Sequence, residues 1–147
     1  MHDTMTDTAP ALPLAGRCVL VTGGARRLGE AIARRLHAGG AAVAIHHRTS
    51  GNEADSLIAD LNAARAGSAA AFACDLLDVE NLAPLVERVL AHFGRLDVLV
   101  NNASSFLPTP VGTITAAQFD DLIGTNLRAP LFLSQAAAPA LREARGL

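Results

Sequence analysis

The 147-residue sequence contains no lysine, no tyrosine and no tryptophan, and all 12 of its basic residues are arginine. A proton donor assembled from a tyrosine and a lysine is therefore excluded within these residues. Cysteine is scarce: Cys18 and Cys74 both fall in expected buried strands. They read as small core residues rather than a disulfide, which fits a reducing, cytoplasmic setting. Long apolar runs are missing, and none reaches membrane-spanning length. There is no basic run and the net charge is −2, which gives no footing for nucleic acid or an anionic membrane. Residues 1–15 lack the basic start and apolar centre of a signal peptide. Their Thr, Asp and Pro content is that of a disordered leader.

What remains is one domain's worth of chain, 50% apolar, enough to bury a core. Residues 16–147 alternate between two periodicities. Short apolar runs at Cys18–Val21, Ala42–His46, Ala69–Cys74 and Val98–Asn101 read as buried parallel strands. Between them lie segments of helical spacing. Leu28, Ile32 and Leu36 mark one face of a helix over Leu28–Ala38, stopped by Gly39-Gly40. Ala54, Leu57, Ile58, Leu61 and Ala64 mark a second helix, Asn52 to Ala66. Leu82, Leu85, Val86, Val89, Leu90 and Phe93 mark a third, with Asp78 as its cap. Thr115-x-x-Gln118 is a capping-box pattern opening a fourth, expected to run past Pro130 with a kink to Leu141. This alternation predicts an α/β fold, a Rossmann-type doubly wound parallel sheet of about four strands and four helices with right-handed crossovers.

The first strand runs into Thr22-Gly23-Gly24 and then into the first helix. Strand, glycine turn, helix is where such sheets hold a phosphate. The opening N–H groups and positive dipole end face the anion, and glycine lets the backbone approach it. A plain strand-to-helix turn has the same look.

Thr22-Gly23-x-x-x-Arg27-x-Gly29 resembles the Thr-Gly-x-x-x-Gly-x-Gly fingerprint of short-chain dehydrogenases/reductases, with arginine at the middle glycine. That replacement, together with Asn101-Asn102-Ala103-Ser104-Ser105-Phe106-Leu107-Pro108-Thr109-Pro110, resembles the pteridine reductase branch. The likeness runs from about Arg17 to Leu141. It implies an NADPH-dependent reductase of pterin or dihydrofolate-like substrates that works as a homo-oligomer, a tetramer by resemblance.

The tip of the second strand bears on the cofactor. NAD-binding folds place an acid there, about 20 residues past the glycines, to accept from the ribose hydroxyls. Here the tip is His46-His47-Arg48-Thr49-Ser50, with no carboxylate before Glu53. An arginine and two hydroxyls attract a 2′-phosphate that an acid would repel, so the expected cofactor is NADP. A solvated loop arginine is the plainer reading of Arg48. His46 and His47 are adjacent on a strand and point to opposite faces, which argues for loop or cofactor contacts and against a metal.

The candidate cofactor-binding set is Gly23, Arg27, Leu28, His47, Arg48, Thr49, Ser50, Asp75, Leu76, Asn102, Ala103 and Ser104. The resemblance implies that Arg27 lies beside the pyrophosphate and the substrate, and that Asp75 bonds the adenine amino group. It further implies that Phe106 stacks a pterin ring, with Arg27 and Ser104 as further substrate contacts. Asn126 is implied to kink the fourth helix and hold a water of a proton relay, the one catalytic residue expected here. Without the resemblance, Asp75 reads as a turn or capping residue, Phe106 as a core aromatic and Asn126 as a surface or capping residue.

The resemblance then breaks. The family's proton donor is a Tyr with a Lys four residues later, and neither residue type occurs. Only four of about six strands of a complete sheet can be placed. The chain reads as the N-terminal, NADP-binding part of a reductase, inactive alone, with its C-terminal strands missing. A truncated sequence, a genuine fragment and a degenerate gene product all fit, as does a non-catalytic dinucleotide-binding or oligomerising fragment.

Overall fold

The structure, a computed structural model, describes residues 12–146. The four expected strands form one parallel sheet in the order β3-β2-β1-β4. β1 (Cys18–Val21) lies between β2 (Ala42–His47) and β4 (Val98–Val100), and β3 (Ala69–Ala73) flanks β2. The register aligns Val21 with Ile45 on one side and with Val100 on the other. β1 is buried along its whole length, as its unbroken apolar run requires.

Alternate residues of each strand feed opposite faces of the sheet. Cys18, Leu20, Ala44 and Phe72 pack with α3 (Leu82–Phe93) and α5 (Ala129–Ala144) through Leu85, Val89 and Leu133. Val19, Val21, Val43 and Ile45 pack with α1 (Arg27–Ala38) and α2 (Gly51–Ala64) through Ala33, Ala54 and Leu57. Each fully buried Leu or Ile stabilises the fold by about 1.5–3 kcal/mol.

Three details depart from the expectations. In α1 the buried stripe is Gly29, Ala33 and His37, one residue on from Leu28, Ile32 and Leu36. Ile32 and Leu36 are half-buried, and Leu28 is exposed. Small residues let the helix lie close to the sheet, and His37 meets Ser68 Oγ at 2.6 Å. Asp78 caps a short 3₁₀ turn, Val79–Asn81, that precedes α3 rather than α3 itself. The break in the regular fourth helix lies upstream of Pro130, around Asn126. The helix runs as α4 (Ala116–Ile123), then a π-helical turn over Gly124–Arg128, then α5, and Pro130 sits harmlessly in the first turn of α5. The Thr115/Gln118 capping box is present.

Of the leader expected over 1–15, residues 1–11 lie outside the described residues. Leu14 is held against the end of α1, its N–H donating to Gly39 O at 2.8 Å. The start of β1 is fastened by Asp97, whose fully buried carboxylate accepts from Cys18 N–H at 2.8 Å and pairs with the Arg95 guanidinium. β4 pairs only with β1 among the described strands and is half-buried. Phe119, Ile123, Leu127 and Leu131, spaced by four along α4–α5, leave an apolar stripe in solvent.

Candidate functional site

The carboxyl ends of the strands open into a cleft of about 690 Å³. All twelve residues of the expected cofactor-binding set line it: Gly23, Arg27, Leu28, His47, Arg48, Thr49, Ser50, Asp75, Leu76, Asn102, Ala103 and Ser104. The place follows from topology: β1 and β4 are parallel neighbours, but the chain leaves β1 for α1 on one face of the sheet and leaves β4 for the helices of the other face, so the loops after them part there.

The floor is built from main chain. Thr22 Oγ1 accepts from the N–H groups of both Asn102 and Ala103, each at 3.0 Å. Asn102 Nδ2 donates back to Thr22 O at 2.9 Å and to Gly23 O at 3.2 Å. The ends of β1 and β4 are thus laced across the cleft floor. Gly23 is needed there: its φ is +61°, and an added Cβ would sit 3.1 Å from Ala103 Cα. Gly29 serves the same closeness one turn into α1, where a Cβ would collide with the Gly23 carbonyl.

The turn amides are not all open. Gly23 N–H donates to His46 Nδ1 at 3.1 Å, and Gly24 N–H donates to His46 O at 3.0 Å. Arg27, Leu28 and Gly29, which line the cleft, form the first turn of α1, where backbone amides have no intrahelical acceptor and no side-chain cap is present. Arg27 holds a φ of +53° at the position where the resemblance has glycine. That left-handed backbone costs an L-residue roughly 1–2 kcal/mol.

Positive charge gathers on the cleft wall in Arg26, Arg27 and Arg48. Arg26 pairs with Glu53 at 3.5 Å, whereas Arg27 and Arg48 form no ion pair among the described residues. His47 Nδ1 is shut from solvent and meets no hydrogen-bond partner among them. Asp75 Oδ1 accepts from Leu77 N–H at 3.0 Å, so this side chain shapes the turn after β3 while lining the cleft.

Two expected site residues stand apart from the lining. Phe106 is 86% exposed, which removes the core reading and leaves its ring free beyond the cleft residues Ser105 and Leu107. Asn126, in the π-helical turn, is fastened to Ser105. Sequence reasoning passed over Arg26, Ser105, Asp121 and Thr125, which also line the cleft, and gave His46 only an unspecified loop or cofactor contact. For His46 a signal existed: it is the inward-facing member of the histidine pair, at the end of a buried strand.

Comparison with known proteins agrees with this geometry. The family model for short chain dehydrogenase matches residues 17–146. Pteridine reductase 1 of Leishmania tarentolae is 37% identical, over 94% of this chain and 57% of its own length. Hydroxynaphthalene reductase arp2 of Aspergillus fumigatus is 36% identical over 89% of this chain and 48% of its own. Among solved structures, a short chain dehydrogenase from Burkholderia cenocepacia in complex with NADP superposes with a TM-score of 0.84 at 41% identity, covering 87% of this chain and 52% of that one. A metagenomic short-chain oxidoreductase in complex with NADP gives 0.83 at 40% identity, covering 90% and 60%. The chain spans about half the length of these relatives.

Proposed function

Since the chain belongs to the short-chain dehydrogenase family, we propose that it forms the NADP-binding part of a reductase for pterin or dihydrofolate-like substrates. The observation that carries the cofactor reading is the β2 tip. Arg48, Thr49 and Ser50 line the cleft there, and the tip holds no carboxylate. The residues fit the cofactor in other respects. The cleft wall has two arginines without an ion pair and an orphaned, buried His47 Nδ1, and its floor offers the first-turn amides of α1. The arginines and the amides are donors in want of an acceptor, and a dinucleotide carrying phosphates is rich in acceptors.

In this reading Arg48 holds the 2′-phosphate, while Arg27 and the α1 amides hold the pyrophosphate. Asp75 faces the adenine. Asn102, Ala103 and Ser104 leave room for the nicotinamide ribose against the backbone. When bound, NADPH supplies the hydride. Phe106 provides a flat apolar surface at the mouth for a heteroaromatic substrate. Asn126 acts through Ser105, fixing the loop that carries Phe106. The proton for the reduced C=N or C=O group comes from outside these residues, because the chain has no Tyr or Lys.

The second reading, a dinucleotide-binding module without chemistry, rests on that same missing donor. Titration of the chain with NADPH and NADH tests the cofactor assignment, and equal affinity for both would sink it. NADPH oxidation with dihydrobiopterin by a polypeptide containing this half separates the two readings.

A further inference from the structure

His46 is buried at the end of β2 and bonded at both ring nitrogens. Nδ1 lies 3.1 Å from Gly23 N, and Nε2 lies 3.0 Å from Cys74 O. A backbone N–H can only donate and a backbone C=O can only accept. One form of the ring satisfies both partners: neutral, with its proton on Nε2. The His46 carbonyl also takes the Gly24 N–H at 3.0 Å, so one residue holds two successive amides of the glycine turn. Through Cys74 it ties that turn to the segment carrying Asp75 and Leu76, on the far wall of the cleft.

Resting on the NADP reading above, we propose that His46 is a positioning residue for the cofactor site. Its neutral imidazole sets the shape of the phosphate-binding turn, and its protonation loosens that turn and weakens cofactor binding. A proton added at Nδ1 would oppose N–H to N–H at Gly23. The turn would have to move, and the first-turn amides of α1 with it.

The surroundings set the direction. Burial lowers the His46 pKa beneath the ordinary 6.5; the Cys74 carbonyl and Asp75 pull the other way, and His47 and Arg88 of α3 add to the lowering. Arg26, Arg27 and Arg48 line the same cleft and also disfavour a positive ring. The ring is therefore neutral at pH 7 and above, and the tie is lost only as pH falls through the ring's lowered value, beneath the ordinary 6.5. Loss of a single such bond weakens binding by about tenfold.

The test is NADPH titration from pH 8 downward through the acid range in which the chain stays folded, on the 147-residue chain and two variants. His46→Asn keeps an acceptor near the Nδ1 position and does not titrate. His46→Phe keeps the ring volume and removes both polar contacts. The native chain is expected to lose about tenfold in affinity across this range beyond the loss seen in His46→Asn, whose profile contains the titration of the cofactor's own phosphate. His46→Phe is expected to bind weakly at every pH. Nitrogen NMR of the native ring is expected to show Nε2 protonated and Nδ1 bare at pH 8. Matching pH profiles for the native chain and His46→Asn would overturn the proposal, as would a proton on Nδ1 at pH 8. If His46→Phe fails to fold, the Asn comparison and the NMR signal still decide. No NADPH binding by the native chain at pH 8 would instead overturn the cofactor reading on which the proposal rests.

Discussion

Asn126 and Ser105 grip each other at both ends: the Asn126 carboxamide accepts from Ser105 N–H at 3.0 Å and donates to Ser105 O at 2.9 Å. This pair joins the π-helical turn to the loop that leaves β4. The extra residue in the turn aims the Asn126 side chain at that loop. Asn126→Ala is expected to lower stability by about 1 kcal/mol, since the bonds are solvent-exposed. It should also loosen the segment from Ser105 to Gly112. Thermal unfolding together with amide exchange at Ser105 measures both effects. An unchanged melting temperature and unchanged protection at Ser105 would deny the grip its role.

Arg48 is expected to distinguish the two nicotinamide cofactors. Arg48→Ala should lose on the order of 1.5–3 kcal/mol of NADPH affinity while leaving NADH affinity nearly unchanged. Parallel fluorescence titrations of both cofactors measure this. An equal loss for both would make Arg48 a general contributor to the cleft, with no special relation to the 2′-phosphate.

Phe106 is too exposed for its removal to open a cavity. Phe106→Ala should leave thermal stability within about 0.5 kcal/mol of the parent. NADPH affinity should be similarly unaffected, while pterin binding to the NADP complex weakens several-fold. Calorimetric titration with dihydrobiopterin in the presence of NADP reads the last effect. Unaltered pterin affinity would remove Phe106 from the substrate site.

Asp97 predicts an acid limit to the fold. Burial alone would raise its pKa, but the Arg95 guanidinium and the Cys18 N–H outweigh it and hold the group below the ordinary 3.8. A carboxylate whose folded pKa is depressed contributes its full stability above the unfolded value and loses it as pH falls through the folded one. Asp97→Asn should therefore cost roughly 1–3 kcal/mol at pH 7 and progressively less below about pH 4. Urea unfolding at a series of pH values gives the curve, and a pH-independent difference would refute the assignment.

The chain alone is expected to associate and to give no turnover. The β4 edge and the stripe of Phe119, Ile123, Leu127 and Leu131 expose backbone groups and apolar surface together. Light scattering at micromolar concentration should report species larger than a monomer, and NADPH with dihydrobiopterin should be consumed no faster than without protein. A monodisperse monomer would contradict the first expectation, and catalysed oxidation the second.

The strands were readable because a parallel strand buried on both faces has to be an unbroken apolar run, as Val19-Leu20-Val21 is. The twelve cleft residues were found because turn chemistry and family likeness both point to strand ends. The α1 stripe was misread because Leu28, Ile32 and Leu36 dominate the pattern by size. Close packing on a sheet instead selects small residues, here Gly29 and Ala33. The irregularity in the fourth helix was legible only through the family likeness, which implied a kink at Asn126; its π-helical form was not, because an extra residue changes hydrogen-bond phase without changing composition, and Pro130 lies four residues further on. His46 was seen as half of a pair, and only the three-dimensional meeting of Gly23 and Cys74 shows what its ring does.

Arg27 carries a consequence for any mutational scan of the cleft. Its left-handed backbone burdens every L-residue placed there, alanine included. Arg27→Ala would delete the charge and keep the conformational burden, whereas Arg27→Gly would delete both. The difference in stability between those two variants, corrected for the freedom glycine adds to the unfolded chain, gives the energy stored in that one dihedral. The difference in cofactor affinity between the native chain and the alanine variant gives the value of the guanidinium. Position 27 is a place where charge and conformation can be weighed separately, using only two substitutions.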